Sequence, residues 1–163
     1  MKNHIKVLFL LAAVSFLSVS CMQAREVSSE GSATLDFQLQ DLRQNTFTLS
    51  SYKEKQPVIL FFWTTWCPFC RKELSILKEK YPQLQKDGCE LFAIDVEESP
   101  YKVENFVKNR ALNFKILLDL DAAVAEAFDI FGVPTYIFIN KKGKIVYRDN
   151  YFPQERYKEL ISG

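Results

Sequence analysis

Apolar positions along the chain recur with two different periods, which together predict strands alternating with helices. Residues 58–63 are apolar on both faces, as in a central strand, and residues 89–96 predict a second buried strand. Leu35, Phe37 and Leu39 alternate with polar residues, which predicts a half-buried strand. Further strands are predicted around Phe47 and Leu49, after a turn at residues 44–45, and at residues 116–118, 135–139 and 144–147.

Apolar residues three and four positions apart predict four helices. Leu74, Leu77 and Tyr81 share one face of a helix that begins at Pro68, and we expect Pro82 to end that helix. The other helices are predicted at residues 100–110, 122–128 and 153–161. The order of elements predicts an α/β domain with a central mixed β-sheet, helices on both faces and an N-terminal β-hairpin extension.

The first two dozen residues have the composition of a secretory signal. Lys2 and Lys6 give a positive start, residues 7–17 are apolar and uncharged, and small residues precede Cys21. The apolar run is shorter than the ~20 residues that span a membrane, so a signal peptide over residues 1–20 is the preferred interpretation. A buried N-terminal helix is the alternative.

Cys21 is a candidate for lipidation, because a Cys directly after such a leader resembles a bacterial lipoprotein box. The Leu usually found three positions before the Cys is replaced by Ser18. Ordinary cleavage after Ser20 or Ala24 would instead release a soluble protein. Under either interpretation the protein is exported to the cell envelope, where disulfides persist. Residues 21–33 are polar and predict a tether, and residues 34–163 predict the folded domain.

Composition narrows the functional classes. The chain has 163 residues, which suits one domain, and its net charge of +1 gives no basic excess for nucleic acid. We therefore expect no nucleic-acid partner and contact with a membrane only through a lipid anchor. The one His is His4, in the leader, so Cys–His catalysis is excluded. A zinc site needs four ligands, and only Cys89 could join Cys67 and Cys70. No metal and no cofactor are expected.

Cys67 and Cys70 are the residues most suited to redox chemistry. They lie where a buried strand turns into a helix, and unpaired N–H groups and the helix dipole favour a thiolate there. Pro68 suits the first helical position, and Cys70, three residues on, can form a disulfide with Cys67. We expect Cys67 to be the exposed attacking residue and Cys70 the shielded resolving residue, with Arg71 and Lys72 adding positive charge.

Four segments in this order, residues 62–70, 94–99, 132–135 and 139–144, resemble the thioredoxin superfamily. The similarity is to the TlpA/ResA group of exported, often membrane-tethered thiol–disulfide oxidoreductases, which is related to AhpC/TSA proteins. It extends over residues 35–162. The resemblance implies a thioredoxin-like fold and a catalytic Cys67–Cys70 pair that cycles between dithiol and redox-active disulfide.

The resemblance also assigns a substrate-binding surface. Pro134 matches the family's cis-proline, which lies beside the Cys pair and helps to hold an extended partner segment. Trp66, Pro68, Phe69 and Val133 are assigned to the same surface, and Trp63 and Trp66 are both expected to pack around the site.

Glu98 matches an acidic residue that the group places near the disulfide, where it could relay a proton to or from Cys70. A solvated Glu beside Glu97 is the alternative. Thioredoxin itself has a buried Asp where this chain has Phe61, so that role would pass to Glu98, to water or to nothing. Cys89 lies in a predicted buried strand and is interpreted as a core residue, with a regulatory thiol as the alternative.

The resemblance implies that the protein reduces disulfides in exported client proteins. We expect it to be a monomer that a membrane electron donor re-reduces. Cytochrome c maturation is the process that the resemblance suggests. A thiol peroxidase is one alternative, since Thr64 lies three residues before Cys67, although Leu60 occupies the place of an expected Pro. A non-catalytic envelope lipoprotein that binds a partner on the same scaffold is the other.

Overall fold

The computed structural model describes residues 35–163, which form one sheet with helices on both of its faces. The strands are β1 (Gln38–Asp41), β2 (Thr46–Thr48), β3 (Val58–Trp63), β4 (Glu90–Val96), β5 (Lys115–Asp119), β6 (Thr135–Ile139) and β7 (Ile145–Asp149). The helices are α1 (Pro68–Lys86), α2 (Pro100–Arg110), α3 (Ala123–Ala127) and α4 (Tyr157–Ser162), with a 3₁₀ turn at Leu49–Tyr52. The predicted signal peptide, Cys21 and the predicted tether lie outside the described residues, as does residue 34, the first of the predicted domain.

The sheet has the order β2-β1-β5-β4-β3-β6-β7. β4 is parallel to β3 and β5, and the other neighbours are antiparallel, so the predicted mixed sheet is confirmed. β3 lies between β4 and β6, in agreement with its fully apolar sequence. All six of its residues are buried.

Alternate residues of β3 enter two separate cores, because successive side chains of a strand point to opposite faces. Ile59, Phe61 and Trp63 pack with residues of α1, α2 and α4. Val58, Leu60 and Phe62 pack with α3 and with apolar side chains of the N-terminal hairpin. Both cores are needed to bury the strand that leads into the Cys pair.

The predicted N-terminal hairpin is present, and it extends the sheet at the β5 edge. Its first strand begins at Gln38 rather than Leu35, whose side chain is exposed. The turn is held by the Asp41 carboxylate, which accepts hydrogen bonds from the backbone N–H groups of Arg43 and Asn45. Gln44 takes a positive φ of 66° at this turn.

Pro82 does not end α1, and this prediction was wrong. The helix continues to Lys86 because Leu84 extends the buried face of Leu77 and Tyr81, while the Pro82 ring lies on the exposed side. The helix is capped just beyond Lys86 by Gly88, whose φ of +71° suits a left-handed cap. The N–H of Cys89 donates to the Leu84 carbonyl at 2.9 Å and closes the cap.

The last helix is shorter than predicted, because residues 153–156 form turns before α4 begins at Tyr157. Tyr157 and Ile161 are buried and anchor α4 on the first core. Within residues 35–163, no helix combines the length and the apolar character needed to cross a bilayer.

Candidate active site

Cys67 occupies the N-cap of α1, directly after the loop that leaves the end of β3. Its backbone is extended, with φ −74° and ψ 114°, and Pro68 takes the first helical position. The backbone N–H of Cys70 donates to Cys67 Sγ at 3.1 Å. The helix therefore directs an otherwise unpaired N–H group at this sulfur, as its first turn does at any N-cap acceptor.

Cys67 and Cys70 form a disulfide, with their Cα atoms 5.2 Å apart. Cys67 is only 3% exposed and Cys70 is 0% exposed, so the expected exposure of Cys67 was wrong. Its Sγ is bonded to Cys70 and lies 3.7 Å from the carbonyl oxygen of Val133, which covers it. The predicted order of shielding is retained, since Cys70 lies deeper than Cys67.

The loop that covers Cys67 contains Pro134, and the Val133–Pro134 peptide bond is cis, as predicted. Two side chains hold this loop. Thr135 Oγ1 donates to the Gly132 carbonyl at 2.7 Å, and Asn150 Nδ2 donates to the Pro134 carbonyl. The Val133 carbonyl is thereby fixed against Cys67.

An apolar surface surrounds the buried disulfide. Trp66 is 64% exposed, and Pro68 and Phe69 are exposed beside it. Trp66 was expected to pack around the site, but its indole lies on the surface and Trp63 alone is fully buried. A groove runs next to Trp66 and is lined by Val96, Glu97, Ile130, Phe131, Gly132 and Val133, with Thr64.

Phe131 is 97% exposed and was missed from the sequence. The signal that could have found it is its position directly before Gly132, Val133 and Pro134, the loop expected beside the Cys pair. Trp66 and Phe131 both line the groove, as does Val133, whose carbonyl oxygen lies 3.7 Å from Cys67 Sγ.

Glu98 lies just before α2 and its side chain is buried. It accepts hydrogen bonds from the backbone N–H and, at 2.8 Å, from the hydroxyl of Thr65, two residues before Cys67. Lys102 forms an ion pair with the same carboxylate. Burial alone would raise the pKa of Glu98, but Lys102 and Thr65 outweigh it and hold the pKa below its usual value. The solvated residue of the pair is Glu97, which is exposed.

Asp95 is a second buried acid near Glu98 that the sequence analysis missed. It is 1% exposed, and neither of its carboxyl oxygens accepts a hydrogen bond from any donor within residues 35–163. Burial raises the pKa of Asp95 to about 9, and the neighbouring Glu98 carboxylate adds to this rise. An acid within the otherwise apolar residues 91–96 of β4 was the available signal.

Glu73 is a third buried acid that was missed. It lies three residues after Cys70 on the buried face of α1 and accepts a hydrogen bond from the Tyr136 hydroxyl at 2.9 Å. Burial, together with Glu73, raises the pKa of Tyr136, so this hydroxyl stays protonated. A Glu at a helix position whose neighbours by three and four are Cys70 and Leu77 could have been identified from its spacing.

Cys89 is buried and forms no disulfide, as the core interpretation predicted. Burial raises the pKa of the Cys89 thiol to about 12. Because the thiolate is the reactive form, this thiol is inert at neutral pH.

Comparison with known proteins agrees with this geometry. Residues 31–148 match the model of the AhpC/TSA family. The thiol-disulfide oxidoreductase ResA of Bacillus subtilis is 37% identical over 140 residues, which cover 85% of this chain and 78% of that protein.

Solved structures are similar as well. StoA from Bacillus subtilis superposes with a TM-score of 0.67 at 28% identity, over 79% of this chain and 98% of StoA. The thioredoxin domain of a thiol-disulfide oxidoreductase from Bacteroides vulgatus has a TM-score of 0.70 at 23% identity, over 80% of this chain and 94% of that domain, and shows the fold. These matches establish that the chain belongs to the AhpC/TSA family, with a thioredoxin-like fold and ResA thiol–disulfide oxidoreductases among its relatives.

Proposed function

We propose that this protein is a thiol–disulfide oxidoreductase that reduces disulfides in exported client proteins through Cys67 and Cys70. One observation carries the proposal: the two cysteines form a disulfide at the N-terminus of α1, beside the cis Val133–Pro134 bond. The ResA relative, which aligns with most of this chain, is named for the same activity.

The reaction begins with the reduced pair. The Cys67 thiolate, stabilised by the N–H of Cys70 and the N-terminus of α1, attacks one sulfur of a client disulfide. A bond forms between Cys67 Sγ and that sulfur, and the other client sulfur leaves as a thiolate. The Cys70 thiolate then attacks Cys67 Sγ and releases the second client sulfur. Two electrons pass to the client, and the Cys67–Cys70 disulfide remains.

The groove beside Trp66 would bind the client chain near its disulfide. Its walls are apolar, with Trp66 and Phe131 at the surface and Val133 beside Cys67. Pro68 and Phe69, which are exposed, extend the same surface around the disulfide, and Pro134, which is buried, follows Val133. Because Cys67 is covered by the Val133 carbonyl, a client sulfur has to approach from the Trp66 side, in an extended segment with apolar residues near its Cys.

Export and anchoring complete the proposal. Residues 1–20 act as a signal peptide, Cys21 carries a lipid, and residues 21–33 tether the domain outside the cytoplasm. There, a membrane electron donor returns the pair to the dithiol form, and the clients belong to cytochrome c maturation. Replacing Cys21 with Ser should release the protein from the membrane fraction, and deletion of the gene should impair haem attachment. Normal haem attachment in the deletion strain would exclude these clients.

The two alternative functions, a thiol peroxidase and a non-catalytic binding protein, have less support from the structure of the Cys67–Cys70 pair. A thiol peroxidase would use Cys67 alone against a peroxide, whereas here Cys67 is bonded to Cys70, its neighbour in the same helix turn. A non-catalytic binding protein has no need of this pair.

The reduction potential of the Cys67–Cys70 pair tests the direction of electron flow. It would be measured by equilibration with a defined thiol buffer, in a Cys89→Ala variant to remove the third thiol. A value of about −270 mV or lower is expected for a reductase, as in thioredoxin. A value of about −120 mV would reverse the direction and make the protein a disulfide-forming oxidant.

A further inference from the structure

Two successive carbonyl oxygens connect the loop over Cys67 to different parts of the fold. The Val133 oxygen lies 3.7 Å from Cys67 Sγ, and the Pro134 oxygen accepts a hydrogen bond from Asn150 Nδ2. Because each residue of the backbone has only two freely rotating bonds, a contact that holds the Pro134 carbonyl also limits the movement of the Val133 carbonyl. Asn150 therefore acts on the surroundings of Cys67 through two residues of backbone.

Asn150 attaches the loop at the point where the regular pairing of the sheet ends. The last pair of the β6–β7 ladder is Tyr136 with Asp149, and β7 ends at Asp149. Pro134 lies before the start of β6 and is buried, and a buried carbonyl group needs a hydrogen-bond donor. The Asn150 side chain supplies that donor and extends the connection between the two strands into the loop.

The other end of the loop is attached to the same strand. Arg148 of β7 donates through one guanidinium nitrogen to the carbonyl of Phe128 at 2.7 Å and to that of Asp129 at 3.3 Å. Residues 130–133, which line the groove beside Trp66, lie between this attachment and the one at Asn150. The end of β7 therefore holds this wall of the groove from both sides.

The position of the Val133 oxygen bears on the reactivity of Cys67. A carbonyl oxygen carries partial negative charge, so it disfavours a neighbouring thiolate and favours a thiol that can donate to it. The N–H of Cys70 and the N-terminus of α1 act in the opposite sense. The distance from the Val133 oxygen to Cys67 Sγ therefore affects both the fraction of thiolate in the reduced protein and the access of a reagent to that sulfur.

We propose that Arg148 and Asn150 are positioning residues that hold residues 130–133 at the distance from Cys67 that client reduction requires. The inference rests on the proposed function. Both side chains act through the loop backbone. With the loop held, the Val133 carbonyl restrains the Cys67 thiolate, and the groove wall has a fixed shape for the client segment. With either attachment removed, Cys67 becomes more reactive towards small reagents, while the client is bound less well.

These two opposite effects are the test. In the reduced protein, Asn150→Ala should raise the rate at which iodoacetamide alkylates Cys67 at pH 6 about three- to tenfold, the size expected for one lost hydrogen bond. The midpoint of the pH–rate profile should fall, because the thiolate is the form that reacts. Mass spectrometry identifies the alkylated cysteine. Arg148→Met, which keeps the apolar part of the side chain and removes its donors, should change both values in the same direction.

Client kinetics measure the other effect. Asn150→Ala and Arg148→Met should each raise KM for a protein client about three- to tenfold with little change in kcat, because the groove wall is no longer held while the reacting sulfurs are intact. A general loss of stability would not make alkylation faster and client binding weaker at the same time in a protein that remains folded.

Asn140→Ala is the matched control, because Asn140 organises the turn at the opposite end of the β6–β7 hairpin. Its Oδ1 accepts hydrogen bonds from the N–H groups of Lys142 and Lys144, both at 3.1 Å. This variant also loses hydrogen bonds, but the alkylation rate, the pH midpoint and KM should stay at the wild-type values.

Three results would overturn the inference: wild-type alkylation in Asn150→Ala and Arg148→Met, a wild-type KM in both, or changes of the same size in Asn140→Ala. Failure of the proposed function is distinguishable from these results. In that case the wild-type protein itself would reduce no client disulfide, whereas the alkylation profiles of the variants would still report on the loop.

Discussion

The backbone N–H and the hydroxyl of Thr65 both donate to the carboxylate of Glu98, 33 residues further along the chain. This contact joins the loop before Cys67 to the start of α2. Lys102 then pairs with the same carboxylate from the first turn of α2. The position of the redox pair therefore depends on a charge that is held from a different part of the fold.

Glu98→Gln should destabilise the protein by about 1–3 kcal/mol at pH 7, because the Lys102 ion pair is lost and the hydrogen bonds of Thr65 are weakened. The pKa of Glu98 is lowered in the folded state, so its contribution is present above the unfolded pKa and is lost as pH falls through the folded pKa. Urea unfolding at pH 7 and pH 3 measures both effects. The exposed neighbour provides the control, since Glu97→Gln should change little, and a similar loss in both variants would contradict the role of Glu98.

Cys67→Ser should abolish client reduction, because it removes the attacking sulfur. Cys70→Ser should instead accumulate mixed disulfides between Cys67 and clients, since the resolving sulfur is missing. Non-reducing electrophoresis after incubation with an oxidised client separates the two results. Small and equal losses of activity in both variants would refute the assignment of the two roles.

Asp95→Asn should stabilise the folded protein at neutral pH. The folded-state pKa of Asp95 is about 9, whereas an unfolded Asp loses its proton above about pH 4. Between these values the folded state binds the additional proton, so stability falls as pH rises, by about 1.4 kcal/mol per pH unit. Asn carries no such proton, and the gain should reach up to about 4 kcal/mol at pH 7.

Chemical denaturation of Asp95→Asn and wild type at pH 5 and pH 8 measures this gain. The stability difference should widen towards pH 8. A variant that is less stable than wild type at pH 8, or that has the same pH slope, would show that Asp95 is not held protonated.

Phe131→Ser should weaken client reduction by raising KM about three- to tenfold with little effect on kcat, because Phe131 lines the groove but touches no reacting atom. Its 97% exposure means that stability should hardly change. Tyr101, which is 77% exposed and does not line the groove, gives the matched control Tyr101→Ser. Steady-state kinetics with a protein client would disprove the binding role if both variants behaved alike.

Gly88→Ala should destabilise the protein by about 1 kcal/mol, because the residue has a φ of +71° that only Gly adopts freely. No atom lies within 4 Å of the position that the new Cβ would take, so the effect is one of backbone conformation and not of crowding. Thermal unfolding measures it, and Gly132→Ala, which also meets no atom and has no positive φ, is the control. Equal melting temperatures for Gly88→Ala and wild type would contradict the left-handed cap.

Much of the fold follows from local patterns. The apolar run of β3, the alternation of the hairpin and the spacing of Leu74, Leu77 and Tyr81 each require burial of one or both faces, and burial of those faces yields the sheet and its helices. The place of Cys67 at a helix start is local too, since Pro68 and the preceding strand define it. These features were predictable because their causes lie within a few residues.

Other features depended on contacts between distant parts of the chain. Pro82 remains inside α1 because Leu84, two residues later, packs in the first core against residues from other strands and helices. Cys67 is covered because the Val133 carbonyl lies over its sulfur. The core that buries Leu84 and the carbonyl that covers Cys67 both come from distant parts of the chain.

By itself, the sequence determined the order of the strands and helices and the place of the two cysteines, since backbone preferences and hydrophobic periodicity act over short stretches of chain. Only the tertiary structure decided which acid keeps its charge. Glu98 and Asp95 are three residues apart and equally acidic in sequence, but Thr65 and Lys102 reach one and not the other. A carboxyl group's proton affinity depends on the donors and the dielectric around it, and those come from the folded neighbours.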